Sequence, residues 1–199
     1  MQSGGLNVIQ GPNGCGKSTL ARTLLGLIPA IGGNVSVRPD GPRSWVPQYL
    51  PMADDFPVSV REIVEMGLWA RDRAGDRSIG RPPGGLPRSQ RRACVEESLR
   101  SVGLSESGSE KFAHLSGGQQ RRALLARALS QQSRVIVLDE PMAGVDDDGR
   151  QLLGQLLSTL AQQSSSLYLV ITHDTCWLTE QPSTIATIGT EGLVVQEFA

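Results

Sequence analysis

Charge of one sign is what this chain lacks most plainly. Nineteen basic against twenty acidic residues leave a formal charge of −1, so no field points toward nucleic acid or an anionic membrane. Aromatic residues make up only 4% of the chain and form no patch that would change this. Cysteine is scarce as well. Cys15, Cys94 and Cys176 are far apart, odd in number and without any CxxC, which excludes a disulfide framework or a cysteine zinc site and fits a reducing compartment. The longest apolar runs, Val135 to Leu138 and Leu167 to Ile171, fall far short of the ~18 residues of a membrane span. No basic leader with an apolar stretch precedes the first strand, because Gly4 and Gly5 interrupt it. These absences set the expectation of a soluble, cytosolic chain. Its 199 residues suit one large domain, or one domain with an insertion, burying roughly 70% of the unfolded surface.

The apolar pattern is that of an α/β protein. Leu6 to Ile9 reads as a buried strand, and Lys17 to Ile28 as a helix with Leu20, Leu24, Leu27 and Ile28 on one face. Asn34 to Val37 and Ser44 to Val46 are expected short strands around the turn residues Pro39 to Pro42. From Pro51 to about Ser109 the pattern turns helical, opening with the capping box Ser59-x-x-Glu62. Arg71 to Ser89, rich in Arg, Gly and Pro, reads as a long polar loop. A helix through Leu124 and Ala128 follows, then a strand at Val135 to Leu138 whose continuous apolarity implies cover on both faces. Leu152, Leu153, Leu156, Leu157 and Leu160 mark an amphipathic helix before the strand Leu167 to Ile171, and Thr184 to Val195 closes as a hairpin. The expected division is a core of residues 1–50 and 110–199 with a helical subdomain at 51–109, all within a single 1–199 domain.

Between the first strand and helix lies Gly11-Pro12-Asn13-Gly14-Cys15-Gly16-Lys17-Ser18-Thr19, which satisfies G-x-x-x-x-G-K-[ST] in the context that motif needs. Glycines let backbone N–H groups turn inward, and the helix start adds partial positive charge, together forming a cradle for phosphates. Lys17 would reach the β- and γ-phosphates of ATP, and Ser18 would ligate Mg²⁺. Cys15 is either a small loop filler or a thiol whose pKa the surrounding amides lower. Asp139 and Glu140 stand at the end of a buried strand, where parallel sheets bind ligands. Asp139 would hold the Mg²⁺, and Glu140 would act as general base on the attacking water.

Leu115-Ser116-Gly117-Gly118-Gln119 resembles the signature sequence of the ABC ATPase family, and the resemblance extends over almost the whole chain. It implies a P-loop NTPase with a RecA-like parallel core, an inserted helical subdomain and, here, truncated N-terminal antiparallel strands. Gln48 in Val46-Pro-Gln matches the family's glutamine loop, with a share in holding Mg²⁺. Asp146 in Ala143-Gly-Val-Asp matches its D-loop, and His173 in Ile171-Thr-His-Asp its switch histidine. Singly, Gln48 would be a loop glutamine and His173 a structural histidine; five motifs in order favour the catalytic reading. The resemblance also implies a head-to-tail dimer in which Ser116, Gly117, Gly118 and Gln119 complete the ATP site of a second copy.

Gln48 and Ser116 are 68 positions apart, room for a transporter ATPase's helical subdomain but not for the coiled coils of DNA-repair relatives. The segments Val46 to Gln48, Asp55 to Gly67 and Glu140 to Asp146 are similar to those of zinc and manganese importers. Implied partners are integral membrane permease subunits and, indirectly, a substrate-binding protein, with the chain peripheral on the inner face of the cell membrane. Two alternatives stand: the ATPase of an ABC transporter with another cargo or direction, and a weakly hydrolysing nucleotide-gated module. The second draws on one departure. Family members stack adenine on an aromatic residue upstream of the glycine loop, whereas none of the ten residues before Gly11 is aromatic. Stacking of this kind is worth ~1 to 3 kcal/mol.

Overall fold

The computed structural model describes residues 5–36, 41–48, 57–73, 86–189 and 192–198, excepting the side chains of 70–73. They fall into two compact units, one of residues 1–48 and 134–199, the other of 49–133.

The first unit is built on a six-stranded sheet. Its strands are β1 (Leu6–Gln10), β2 (Arg43–Val46), β3 (Val135–Asp139), β4 (Leu167–Thr172), β5 (Thr184–Gly189) and β6 (Gly192–Glu197), in the spatial order β2-β3-β4-β1-β5-β6. All neighbours are parallel except β5 and β6, which form the expected antiparallel hairpin. Helices α1 (Lys17–Leu24) and α5 (Asp147–Gln163) belong to the same unit. Ile9, Val137, Leu169 and Ile171 share a buried cluster with Ala21 of α1, while the alternate residues Val8, Ile136, Leu138 and Val170 are buried as well. Both faces are therefore covered, which is why these strands show no polar alternation. At the far end β6 is an edge strand, exposed at every residue, and among the described residues nothing pairs with its outer side.

Two elements differ from expectation. Helix α1 stops at Leu24 rather than Ile28, because Gly26 takes a left-handed conformation (φ 75°). There the Leu27 amide bonds Arg22 O and the Gly26 amide bonds Thr23 O, the paired bonds of a Schellman ending. A strand is expected from Asn34 to Val37, but the described residues 34–36 form none and lie exposed; alternation makes a strand only where a neighbour supplies the ladder. Val37, Pro39 and Asp40 lie outside the described residues.

The second unit holds α2 (Val60–Arg73), α3 (Arg88–Ser101) and α4 (Gly117–Ser130). Its boundary falls after Ser133, not at 109, because α4 packs on α2 and α3. Ser59 and Glu62 form the expected capping box: the Ser59 amide donates to Glu62 Oε2 over 2.8 Å and the Glu62 amide to Ser59 Oγ over 3.3 Å. The Ser59 hydroxyl, donating to Glu62 Oε2 over 2.7 Å, and then the Ser59 amide hold the Glu62 carboxyl below its ordinary pKa. The stretch read as a polar loop over 71–89 is helical at 71–73 and from Arg88; residues 74–85 lie outside the described ones. Helices α2 and α4 meet closely at Gly67, where a Cβ would fall 2.1 Å from Arg127 O and 2.2 Å from Ser130 Oγ. Ser130 Oγ also donates to Val64 O over 2.7 Å. Gly67→Ala must push the helices apart, an overpacking cost of about 1–3 kcal/mol. Urea unfolding is expected to show a matching fall in midpoint, and an unchanged midpoint would contradict the close approach.

Candidate active site

Four adjacent parallel strands, β2, β3, β4 and β1, end on the same side of the sheet. Gln48, Asp139 with Glu140, His173 and the loop from Gly11 follow those ends. Open α/β sheets bind ligands outside such carboxyl ends because the strands deliver several loops to one place. Here a cleft of about 420 Å³ is lined by Asn13, Gly14, Gly16, Lys17, Ser18, Thr19, Gln48, Glu140 and His173. No Phe, Tyr or Trp is among these lining residues.

The glycine loop depends on backbone that other residues avoid. Gly14 and Gly16 have φ of 81° and 96°, and a Cβ on Gly11 would lie 2.7 Å from Ile188 O and 2.8 Å from Cys15 Sγ. Gly16 caps α1 with no side-chain acceptor and no acidic residue in the first turn, which leaves the helix start free for an anion. Lys17 is buried, with Nζ donating to Gly11 O over 2.8 Å and Pro12 O over 3.1 Å and standing 3.9 Å from Glu140 Oε1.

Ser18 Oγ donates to Asp139 Oδ1 over 3.0 Å. Burial raises the Asp139 carboxyl above its ordinary pKa; the Ser18 hydroxyl opposes that, the Glu140 charge adds to it, and Arg22 and Lys17 oppose it. A carboxyl held high favours the folded state while protonated. Its contribution is present below the ordinary value of 3.8 and is lost as pH rises through the raised one. Asp139→Asn removes that loss. Without nucleotide, its melting temperature is expected to exceed the wild type's at neutral pH by a margin that closes on acidification. A margin independent of pH would contradict the raised value.

Glu140 takes a left-handed conformation (φ 46°), uncommon for a residue with a side chain and worth of order 1–3 kcal/mol of strain. Its amide donates to Ile171 O over 2.9 Å, tying the turn to β4. Its Oε2 lies 2.9 Å from His173 Nδ1. The carboxylate thus stands between an imidazole and the Lys17 ammonium at the mouth of the cleft.

Lys17, Ser18, Asp139, Glu140, His173 and Gln48 are therefore brought together as the sequence reading expects. Asp146 stands at the N-cap of α5, where its Oδ1 accepts the Gly149 amide over 3.0 Å. Ser116, Gly117, Gly118 and Gln119 lie in the second unit, opening α4 through a capping box. Ser116 Oγ accepts the Gln119 amide over 3.3 Å, and Gln119 Oε1 accepts the Ser116 amide over 2.9 Å. Sequence reasoning missed Asp174 and Trp177, which fasten the turn carrying His173. A tryptophan four residues past that histidine was the available signal.

The family model described as ABC transporter matches residues 1–143, a stretch holding the glycine loop, Gln48, Ser116 to Gln119 and the two carboxylates. Among curated relatives, the manganese transport system ATP-binding protein MntA of Synechocystis sp. is 36% identical over 182 residues, covering 87% of this chain and 66% of the relative. The zinc import ATP-binding protein ZnuC of Cereibacter sphaeroides is 36% identical over 83% of this chain and 60% of its own length. The zinc transport system ATP-binding protein TroB of Treponema pallidum is 35% identical over 98% and 73%. The chain spans about two thirds of the length of such relatives. Among solved structures, a chain of an ABC transporter in an inward-facing conformation superposes with a TM-score of 0.84 at 28% identity, over 99% of this chain and 73% of that one. CbiO1 from Clostridium perfringens, part of the ABC transporter complex CbiONQ, matches in fold with a TM-score of 0.79 at 23% identity, over 99% and 78%. With the glycine loop, the signature segment and the strand-end carboxylates all inside the matched region, the chain belongs to the ABC transporter family, among its ATP-binding chains.

Proposed function

We propose that this chain is the ATP-hydrolysing subunit of an ABC transporter that imports a divalent metal of the zinc or manganese type. The observation that carries the enzymatic half is the convergence of Lys17, Ser18, Asp139, Glu140 and His173 on one cleft. The triphosphate would lie along the amides of Gly14 to Thr19 at the start of α1, with Lys17 turning from the Gly11 and Pro12 carbonyls to the β- and γ-phosphates.

Ser18 Oγ and Asp139 Oδ1 form an all-oxygen pair 3.0 Å apart, the donor chemistry magnesium prefers. No group of three His, Cys, Asp or Glu able to hold a metal exists among the described residues, which suits an ion carried largely by the nucleotide. Ser18 and Asp139, with Gln48, would hold it, and when bound it neutralises charge on the β- and γ-phosphates. Glu140 takes a proton from water as the water oxygen bonds to the γ-phosphorus and the bond to the β-bridging oxygen breaks, releasing ADP and phosphate. His173 holds the Glu140 carboxylate in place for that transfer. The Ser116 hydroxyl and the Gly117 and Gly118 amides would complete the γ-phosphate site of a second copy in a head-to-tail dimer, and Asp146 would lie at the same joint.

No helix among the described residues is long and apolar enough to cross a membrane. On this reading its partners are integral permease subunits, with the chain docked peripherally on their cytoplasmic side and a substrate-binding protein delivering cargo, as the names of the relatives, ATP-binding proteins of transport systems, suggest. The zinc and manganese reading rests on the relatives' roles. Phosphate release from Mg-ATP tests the first half, and no release with or without permease would overturn it. Zinc and manganese uptake by a deletion strain tests the second; uptake equal to the parent's would overturn the cargo.

A further inference from the structure

The turn after β4 carries His173, an exposed side chain, yet the segment behind it is fastened with unusual completeness. The Asp174 carbonyl accepts Thr172 Oγ1 over 2.7 Å and the indole Trp177 Nε1 over 2.8 Å. Thr172 Oγ1 in turn accepts the Asp174 amide over 3.1 Å, and Asp174 Oδ1 accepts the Cys176 amide over 2.9 Å. Trp177 itself is buried. It presses on α5 at Gly154, where a Cβ would lie 2.6 Å from Trp177 O and 3.4 Å from its ring.

One and two turns further along α5 the contact continues. Ser158 Oγ bonds Thr179 Oγ1 over 3.2 Å, and Gln162 Nε2 donates to Glu180. Gly154, Ser158 and Gln162 recur every four residues, so they form one stripe on the helix. Residues 177–180 are zipped along that stripe. The buried end of the zipper is the indole that grips the carbonyl next to His173.

We infer that Trp177 is a positioning residue for hydrolysis: its indole, seated on Gly154 of α5, fixes the Asp174 carbonyl and so holds the His173 imidazole against the Glu140 carboxylate. This rests on the ATPase reading above. The 2.9 Å contact between His173 and Glu140 joins a side chain on an exposed turn to one on a strained turn. Such a contact survives only if both backbones are fixed, and Glu140 is fixed by its bond to Ile171 O. Trp177 supplies the other half.

Trp177→Phe keeps an aromatic side chain at the site but removes the N–H donor together with one ring of the indole. It is expected to lower kcat roughly tenfold, as small misplacements of catalytic groups do, while the KM for ATP, set by the glycine loop, changes by less than about twofold. On a His173→Ala background the same substitution should add no further loss. The chain has only two histidines, His114 and His173, so a histidine-labelled NMR spectrum, assigned with His114→Ala, reads the imidazole directly. Trp177→Phe should shift or broaden the His173 signals and leave those of His114 in place. Should that variant fail to fold, Gly154→Ala displaces Trp177 from α5 and predicts the same pattern. An unmoved His173 signal, or a full additional loss of kcat in the double variant, overturns the inference. A wild-type protein without ATPase activity sinks the functional reading instead, and the histidine spectrum still decides whether the indole fixes the imidazole.

Discussion

Glu140→Gln is expected to lower phosphate release by about 10²- to 10⁴-fold while leaving ATP binding close to that of the wild type. Glutamine has the same length and branching, so the left-handed turn at φ 46° and the approach to His173 are kept. What disappears is the ability to take a proton from water. The Lys17 ammonium, 3.9 Å from Glu140 Oε1, also loses a competing carboxylate and becomes freer for phosphate. Binding without turnover should accumulate the nucleotide-bound state. If Ser116 and its glycines complete the site of a second copy, that state is a dimer, and light scattering in Mg-ATP should show a doubling of mass that wild-type protein shows only transiently. Phosphate release at the wild-type rate would remove Glu140 from the role of base. A monomer with ATP bound would instead count against the head-to-tail pair.

Lys17→Met separates binding from chemistry. The methionine fills the space of the lysine stem, and the Gly11 and Pro12 carbonyls it leaves belong to residues that are half-buried and exposed, so the fold should stand. The lost bonds are charge-assisted ones to phosphate, worth about 1.5–3 kcal/mol, and ATP affinity should fall about 10- to 150-fold. Titration calorimetry with Mg-ATP measures this directly. An unchanged dissociation constant would mean that the triphosphate does not run along this loop.

The sequence-legible parts are those whose chemistry is local. A glycine pattern, a lysine and a serine at fixed spacing announce the phosphate cradle, because their neighbours along the chain are also their neighbours in space. Continuous apolarity at Val135 to Leu138 announces a doubly covered strand for the same reason. The Ser59 and Glu62 cap was equally open to reading. Illegible were facts that depend on two distant segments meeting. Nothing near Glu140 in the chain shows its left-handed backbone, since that turn is held by Ile171, thirty-one positions away. Nothing near Gly154 announces that Trp177 will lie on it. The strand expected at Asn34 failed on the same principle, and the membership of α4 in the helical unit reflects its packing on α2 and α3, which no local pattern encodes.

Strand β6 carries a practical consequence. Leu193, Val194 and Val195 are 53, 60 and 50% exposed, in a row, on a strand whose outer hydrogen-bonding groups meet no described partner. Such an edge is a template for another extended segment, and proteins commonly blunt it with charge, proline or a covering element. None interrupts these three residues. The rim of the sheet thus offers a route to self-association that is separate from the buried strands that hold the fold, and a preparation can be well folded and still associate through it.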